Sequence, residues 1–429
     1  MEARLNSAFE TAVKEKKLAA VGAIALDRDG KIIYKGAFGT INLNDPNAEP
    51  FTTSTPYMGW STTKLVTSVA ALQLIEQGKL KIDDPVEKYV PRVSENKVLT
   101  GWNEDGTPQL RAPKNKVTIL NLLTHTGGYV YDFLNGDNLR YKIFKKVDPS
   151  MTNLGNVEQY HDSPFAFEPG TAHEYGINLD ILGLVIEAIS GQKLPEYFKE
   201  HIFKPLDMKD TGAQPEFGSK GSETNLIVHH RGADGSLTAN PAVQFPKGAE
   251  FHGGGHFLYS TLDDYASKLL VTILNGGAHP LSGARILQQA TVAEFLFKEK
   301  LEAAVGVPAT GAGVLKAAVP QLCNDGELLP GLRKSWSCGL LLNLEASPTG
   351  RSAGSGAWCG LGNIYYWIDP VAGKTGLLAT EVLPFLDEEA LALFDEFERA
   401  VYGHPSAKEG ERRNYITKPA AVGQQEAAA

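Results

Sequence analysis

A serine three residues ahead of a lysine can become a nucleophile when one helix face holds both side chains and shields the amine from water. Three such pairs occur: Ser61-Thr62-Thr63-Lys64, Ser94-Glu95-Asn96-Lys97 and Ser190-Gly191-Gln192-Lys193. Context separates them. Ser94 follows Pro91 in a polar loop, and Ser190-Gly191 reads as a helix end. Ser61 opens an apolar helix over 61–77, in which Leu65, Val69, Leu72 and Ile75 recur at helical spacing and Gly78 stands where a terminating glycine belongs. Residues i and i+3 share a face, so the Lys64 amine can reach the Ser61 hydroxyl. The helix N-terminus supplies positive field and free N–H groups where an oxyanion would form. A lysine desolvated there loses its proton more easily and can accept one from serine. Tyr175, after the Pro169-Gly170 turn, is a candidate second proton-handling group. A phenol with an ordinary pKa of ~10, placed beside a cationic lysine, is drawn toward phenolate. A packed aromatic is the alternative for Tyr175 on the residues alone.

Other chemistries find less support. None of the ten histidines belongs to an H-E-x-x-H motif, and Gly253-Gly254-Gly255 separates His252 from His256. No metal site is expected. The same glycines match no phosphate-binding loop and read as a tight turn. Gly350-Arg351-Ser352-Ala353-Gly354 fits the G-x-S-x-G elbow in letters only: Pro348 interrupts the strand side, and Gly354-Ser355-Gly356 stands where a helix should begin.

The elements that must position these groups can be read coarsely. Val21–Leu26 and Lys31–Phe38 are apolar runs split by Asp27-Arg28-Asp29-Gly30, a hairpin pattern. Helices are expected at 61–77, 118–125, 177–190, 262–274 and 387–401, and strands at 337–344, 362–368 and 377–383. Residues 98–118 read as a polar excursion and 302–335 as irregular. Strands at both ends with helices between suggest an α+β protein. The expected body spans 1–60 and 336–405, a helical lobe spans 61–335, and the tail from 406 to 429 frays. The 429 residues carry a net charge of −9 with no basic block, which argues against nucleic-acid and polybasic membrane partners. No apolar run reaches the ~18 residues of a membrane span. Residues 1–17 read as an amphipathic surface helix without an apolar signal core, so the expected compartment is the cytosol. Three cysteines cannot form a disulfide framework.

Five short motifs occur in order: Ser61-Thr62-Thr63-Lys64, Gly78-Lys79-Leu80 to Asp84-Pro85-Val86, Leu122 to Gly128, Pro169-Gly170 to Tyr175, and Gly253 to Thr261. Together they resemble the class C-like branch of the serine beta-lactamase superfamily. Within it the chain is most similar to family VIII carboxylesterases and to lovastatin-type polyketide acyltransferases. The resemblance implies the beta-lactamase/transpeptidase-like fold, an antiparallel sheet with flanking helices and an inserted helical lobe. It implies Ser61 as nucleophile, Tyr175 held by Lys64 as the base, and the backbone N–H groups of Ser61 and Leu361 as the oxyanion hole. Trp358 then lines the acyl pocket, beside Cys359 and Gly360. His125 is expected to be a structural turn residue. No cofactor is implied. The substrates implied are an acyl ester or thioester and an alcohol acceptor, with an acyl-carrier protein as a further partner. Beta-lactamase or D-aminopeptidase-like hydrolysis is the alternative. Two departures disfavour it: Ile177 occupies the asparagine position of the lactamase Tyr-x-Asn motif, and Trp358-Cys359-Gly360 replaces Lys-Thr-Gly. Lys374-Thr375-Gly376 matches that third motif literally but follows Ile368-Asp369-Pro370, on an expected turn.

Overall fold

The structure is a computed structural model, and it describes residues 1–147, 155–213, 225–408 and 413–416. Seven strands form one sheet: β1 (Ala20–Asp27), β2 (Ile32–Gly39), β3 (Lys334–Trp336), β4 (Leu341–Asn343), β5 (Gly356–Gly360), β6 (Ile364–Asp369) and β7 (Lys374–Ala379). Their spatial order is β3-β4-β5-β6-β7-β1-β2, with every pairing antiparallel. The first two strands therefore complete a sheet whose other members lie near the opposite end of the chain. The β1–β2 hairpin forms as its sequence requires, with Gly30 at φ 82° in the turn.

Four α-helices run for 13 or 14 residues: α1 (Glu2–Lys14), α2 (Thr63–Glu76), α3 (Asn178–Ser190) and α4 (Glu388–Val401). Consecutive residues of β6 show how the layers close, because side chains alternate across a strand. Trp367 packs its ring against Phe394 and Phe397 of α4, whereas Tyr366 meets Tyr265 of the helical run 262–274 on the other face. α1 joins α4 through Phe9, Tyr34 and Phe397. Helices thus flank the antiparallel sheet on both sides, an α+β arrangement. α2 is buried on every side from Thr63 to Leu74, as expected of a helix at the centre of a large core. Among the described residues, no helix is long and apolar enough to cross a membrane.

Several local expectations need correction. Ser61 lies in a 3-10 turn, Trp60–Thr62, and the α-helix begins at Thr63. The run 262–274 is helical but widens to a π-helix over Tyr265–Leu270. Strand β5 is absent from the expected elements, because a short, fully buried segment bounded by glycines shows no alternation. Lys374 opens β7 instead of lying on a turn: the turn after Asp369 is only Pro370–Gly373, and Lys374 already pairs with both Asp27 and Asp369. Residues 413–416 fall in the stretch expected to fray, yet Arg413 binds Asp395 at 2.7 Å, Tyr415 is buried, and Glu327 N–H donates to Tyr415 O. The buried Asp395 and Glu398 carboxylates on α4 supply partners that hold Arg413 there.

Candidate active site

From Tyr57 to Leu74 every residue is buried except Ser61, which is half-exposed. The backbone around it is specific. Gly59 N–H donates to Leu258 O at 2.7 Å, and Trp60 follows at φ 48°, in the left-handed region that a bulky side chain rarely adopts. Holding a residue there costs roughly 1–3 kcal/mol, so the surroundings must impose it. The turn through Trp60 presents Ser61 to an apolar cavity lined also by Tyr131, Tyr175, Trp358, Gly360 and Leu361.

Lys64 lies one helical turn beyond Ser61. Its Nζ is 3.1 Å from Ser61 Oγ, 2.9 Å from Tyr131 Oη and 2.9 Å from Gly255 O. Burial lowers its pKa to about 7, and the Asp180 carboxylate nearby limits the fall. The amine is therefore substantially neutral near pH 7 and can accept a proton.

Tyr175 packs its ring 4.7 Å from Lys64 Nζ, and its hydroxyl pairs with Ser61 and accepts from Trp358 Nε1 at 3.3 Å. The expected drift toward phenolate does not occur. Burial pushes the Tyr175 phenol well above its ordinary pKa. Desolvation outweighs the hydrogen bonding from Ser61 and Trp358, which pulls the other way.

Trp358 and Gly360 lie on β5, and Leu361 follows directly. A Cβ on Gly360 would sit 2.7 Å from Gly59 O, so only glycine lets β5 approach the turn that carries Ser61. Five of the six candidate residues named from the sequence thus line one cavity, Ser61, Tyr175, Trp358, Gly360 and Leu361, and the sixth, Lys64, lies behind Ser61 within hydrogen-bond distance of its hydroxyl.

The remaining candidates lie elsewhere. Lys374 donates to Val401 O at 2.9 Å and stacks on Tyr402. Ser352 is in the β4–β5 loop with no helix after it, and its N–H is bound by Asp369. Ser94 and Ser190 spend their hydroxyls on the backbone carbonyls of Pro91 and Ile186. His125 sits at φ 55° in a turn, fully buried, and its Nδ1 accepts from Gly176 N–H at 3.3 Å. Burial holds it well below the ordinary histidine range. Asn178 does not fill the place of the missing asparagine; its amide donates to Tyr129 O at 2.8 Å. Among the described residues no His, Cys, Asp and Glu cluster could hold a metal ion.

Three residues at the site were given no role there by the sequence reading. Tyr131 shares Lys64 with Ser61. Asp180 accepts from Gly255 N–H and His256 Nδ1, both at 3.0 Å, and from Tyr131 Oη at 3.4 Å. Burial pushes the Asp180 carboxyl up, but His256 and Lys64 outweigh it and hold the group below the usual carboxylate range. His256 faces the cavity. The only sequence signal was the glycine triplet, whose tight turn brings Gly255 O to Lys64.

Known proteins share this architecture. The sequence profile of the Beta-lactamase family matches residues 5–393. A monacolin J acid methylbutanoyltransferase of Aspergillus terreus is 29% identical over 407 residues, covering 93% of this chain and 95% of its own. A lovastatin esterase of Penicillium rubens is 27% identical over 413 residues, covering 95% and 100%. The solved structure of a mutant simvastatin synthase from Aspergillus terreus superposes with a TM-score of 0.80 at 28% identity, covering 93% of this chain and 94% of that one. With nearly its whole length matched in sequence and fold, the chain belongs to the Beta-lactamase family.

Proposed function

We propose that the protein is a serine acyl hydrolase or acyltransferase that forms an acyl-enzyme on Ser61 from an ester or thioester. The observation that carries this reading is the 3.1 Å approach of the buried Lys64 amine, whose pKa burial lowers to about 7, to the one accessible hydroxyl of its segment. Ser61 Oγ attacks the carbonyl carbon while Lys64 accepts the hydroxyl proton. Tyr175 donates its proton to the departing alcohol or thiol. The resulting phenolate is compensated by the Lys64 ammonium over its ring and by the Trp358 N–H. In the second half-reaction, water or an alcohol gives its proton to Tyr175 and attacks the acyl carbonyl. Ser61 leaves and recovers its proton from Lys64.

The backbone N–H groups of Ser61 and Leu361 serve the oxyanion, a role typically worth ~10²–10³ in rate per donor. Similarity to a methylbutanoyltransferase and an esterase supports both outcomes, transfer to an alcohol and hydrolysis. A thioester donor is compatible with delivery by an acyl-carrier protein. The test is intact-mass analysis after exposure to an acyl thioester. A single acyl adduct, mapped to Ser61 and discharged by a candidate alcohol, is expected; an unmodified protein that still turns the donor over would refute the assignment.

A further inference from the structure

Glu381 is fully buried, far from Ser61 in sequence, and has no part in the proton transfers above. Its Oε2 accepts the indole N–H of Trp60 at 3.0 Å, and the backbone N–H of Met58 also faces its carboxyl. Both groups belong to the strained stretch that presents Ser61. On its other side the carboxyl rests on Gly362. A Cβ there would fall 2.3 Å from Glu381 Oε2 and 3.0 Å from Trp60 Nε1. The flanking residues fasten the same point, because Val382 N–H donates to Gly362 O at 3.1 Å and Thr380 Oγ1 does so at 3.2 Å. Glu381 is itself at φ 53°, and His229 N–H donates to its carbonyl at 2.9 Å.

We propose that Glu381 is a positioning residue that braces the Met58–Ser61 stretch against Leu361-Gly362 and so sets the separation of the two oxyanion N–H groups. This rests on the assignment of those groups to Ser61 and Leu361. The reasoning is geometric. A hydrogen bond to Trp60 holds a residue that would otherwise relax out of the left-handed region, carrying Ser61 N–H with it. The same carboxyl fills the space above Gly362, so the loop bearing Leu361 cannot move inward. The group needs no charge for this: burial pushes its pKa well above the usual carboxylate range, and a neutral acid is closely mimicked by glutamine.

The experiment compares Glu381→Gln, Glu381→Ala and Trp60→Phe with the parent, using p-nitrophenyl butyrate turnover and inhibition by phenylboronic acid, which mimics the tetrahedral adduct. Glu381→Gln should retain kcat within about threefold, because its amide oxygen still accepts from Trp60. Glu381→Ala should lose about 10- to 100-fold in kcat, with KM changed less than about twofold and boronate affinity weakened in step. Trp60→Phe, which keeps an aromatic side chain and removes the donor, should show the same split and serves if Glu381→Ala does not fold. Wild-type kcat and boronate affinity in the folded Ala and Phe variants would overturn the brace. So would a glutamine variant as impaired as the alanine one. Activity surviving in Ser61→Ala would instead overturn the assignment of the nucleophile.

Discussion

Trp358 donates its indole N–H to the phenolic oxygen of Tyr175 at 3.3 Å, tying the strand that precedes Leu361 to the loop that carries the tyrosine. The bond strengthens as negative charge develops on that oxygen. It therefore favours the transition state over the resting enzyme, which is the condition for an effect on kcat.

Tyr175→Phe should lower kcat for p-nitrophenyl butyrate by ~10²–10⁴ with little change in KM, the range expected when a general acid–base group is removed. Turnover close to the parent would transfer the second proton step to another group, with Tyr131 the nearest phenol to Lys64.

Ser61→Ala should reduce ester hydrolysis by at least ~10³-fold while the thermal midpoint stays close to the parent's, since Ser61 is half-exposed. Ser352→Ala should leave turnover unchanged. The reverse pattern would move the nucleophile to the β4–β5 loop and break the family-based placement of the site.

The pH profile of kcat/KM reports groups on the free enzyme. If neutral Lys64 is the acceptor, kcat/KM should rise with pH and be half-maximal near 7. Below that point the amine is protonated and cannot take the serine proton. Asp180 favours the charged lysine, so Asp180→Asn should move the half-maximal point to lower pH. A profile flat through neutrality in the parent would show that lysine deprotonation does not limit acylation.

Lys374→Ala should keep kcat and KM within about twofold. It removes one bond to Val401 O and a stacking contact on Tyr402, at a stability cost of about 1 kcal/mol. A large loss of turnover would mean that Lys374, and not the Trp358-Cys359-Gly360 segment, supplies the third motif.

Reaction class is settled by rates on paired substrates. The cavity walls are almost wholly apolar, and Ile177 and the β5 segment lack the amide and ammonium that a lactam carboxylate would use. Apolar pockets discriminate only weakly among acyl chains, whereas a missing polar partner is costly. p-Nitrophenyl butyrate should be cleaved far faster than nitrocefin, and an added alcohol should divert the acyl group to a new ester. Faster nitrocefin cleavage would restore the lactamase reading with Ser61 and Lys64 unchanged.

The residues that sequence analysis located are those whose relation is short-range. Ser61 and Lys64 are tied by one turn of helix, and the hairpin by a four-residue turn. Trp358, Gly360 and Leu361 were reached through motif order. Tyr131, Asp180, His256 and Glu381 carry no comparable local pattern, because their meaning lies in which distant segments meet. The protonation of Tyr175 was misjudged for the same reason: burial is a property of the folded protein, and it overrode the charge argument made from neighbouring residue types. β5 was missed because alternation vanishes in a strand with both faces covered.

The pairing of Asp27 with Lys374 through to Gly22 with Ala379 also sets a schedule for synthesis. The β1–β2 hairpin leaves the ribosome well before β7, so β1, buried on both faces in the finished protein, is for a time unpaired along one edge. Its partner emerges roughly 350 residues later, about 20–70 s at ordinary elongation rates. During that interval an apolar strand edge is open to any other nascent chain. Fewer encounters between nascent chains, through weaker induction or added holdase chaperones, should therefore raise soluble yield more than stabilising the finished fold would.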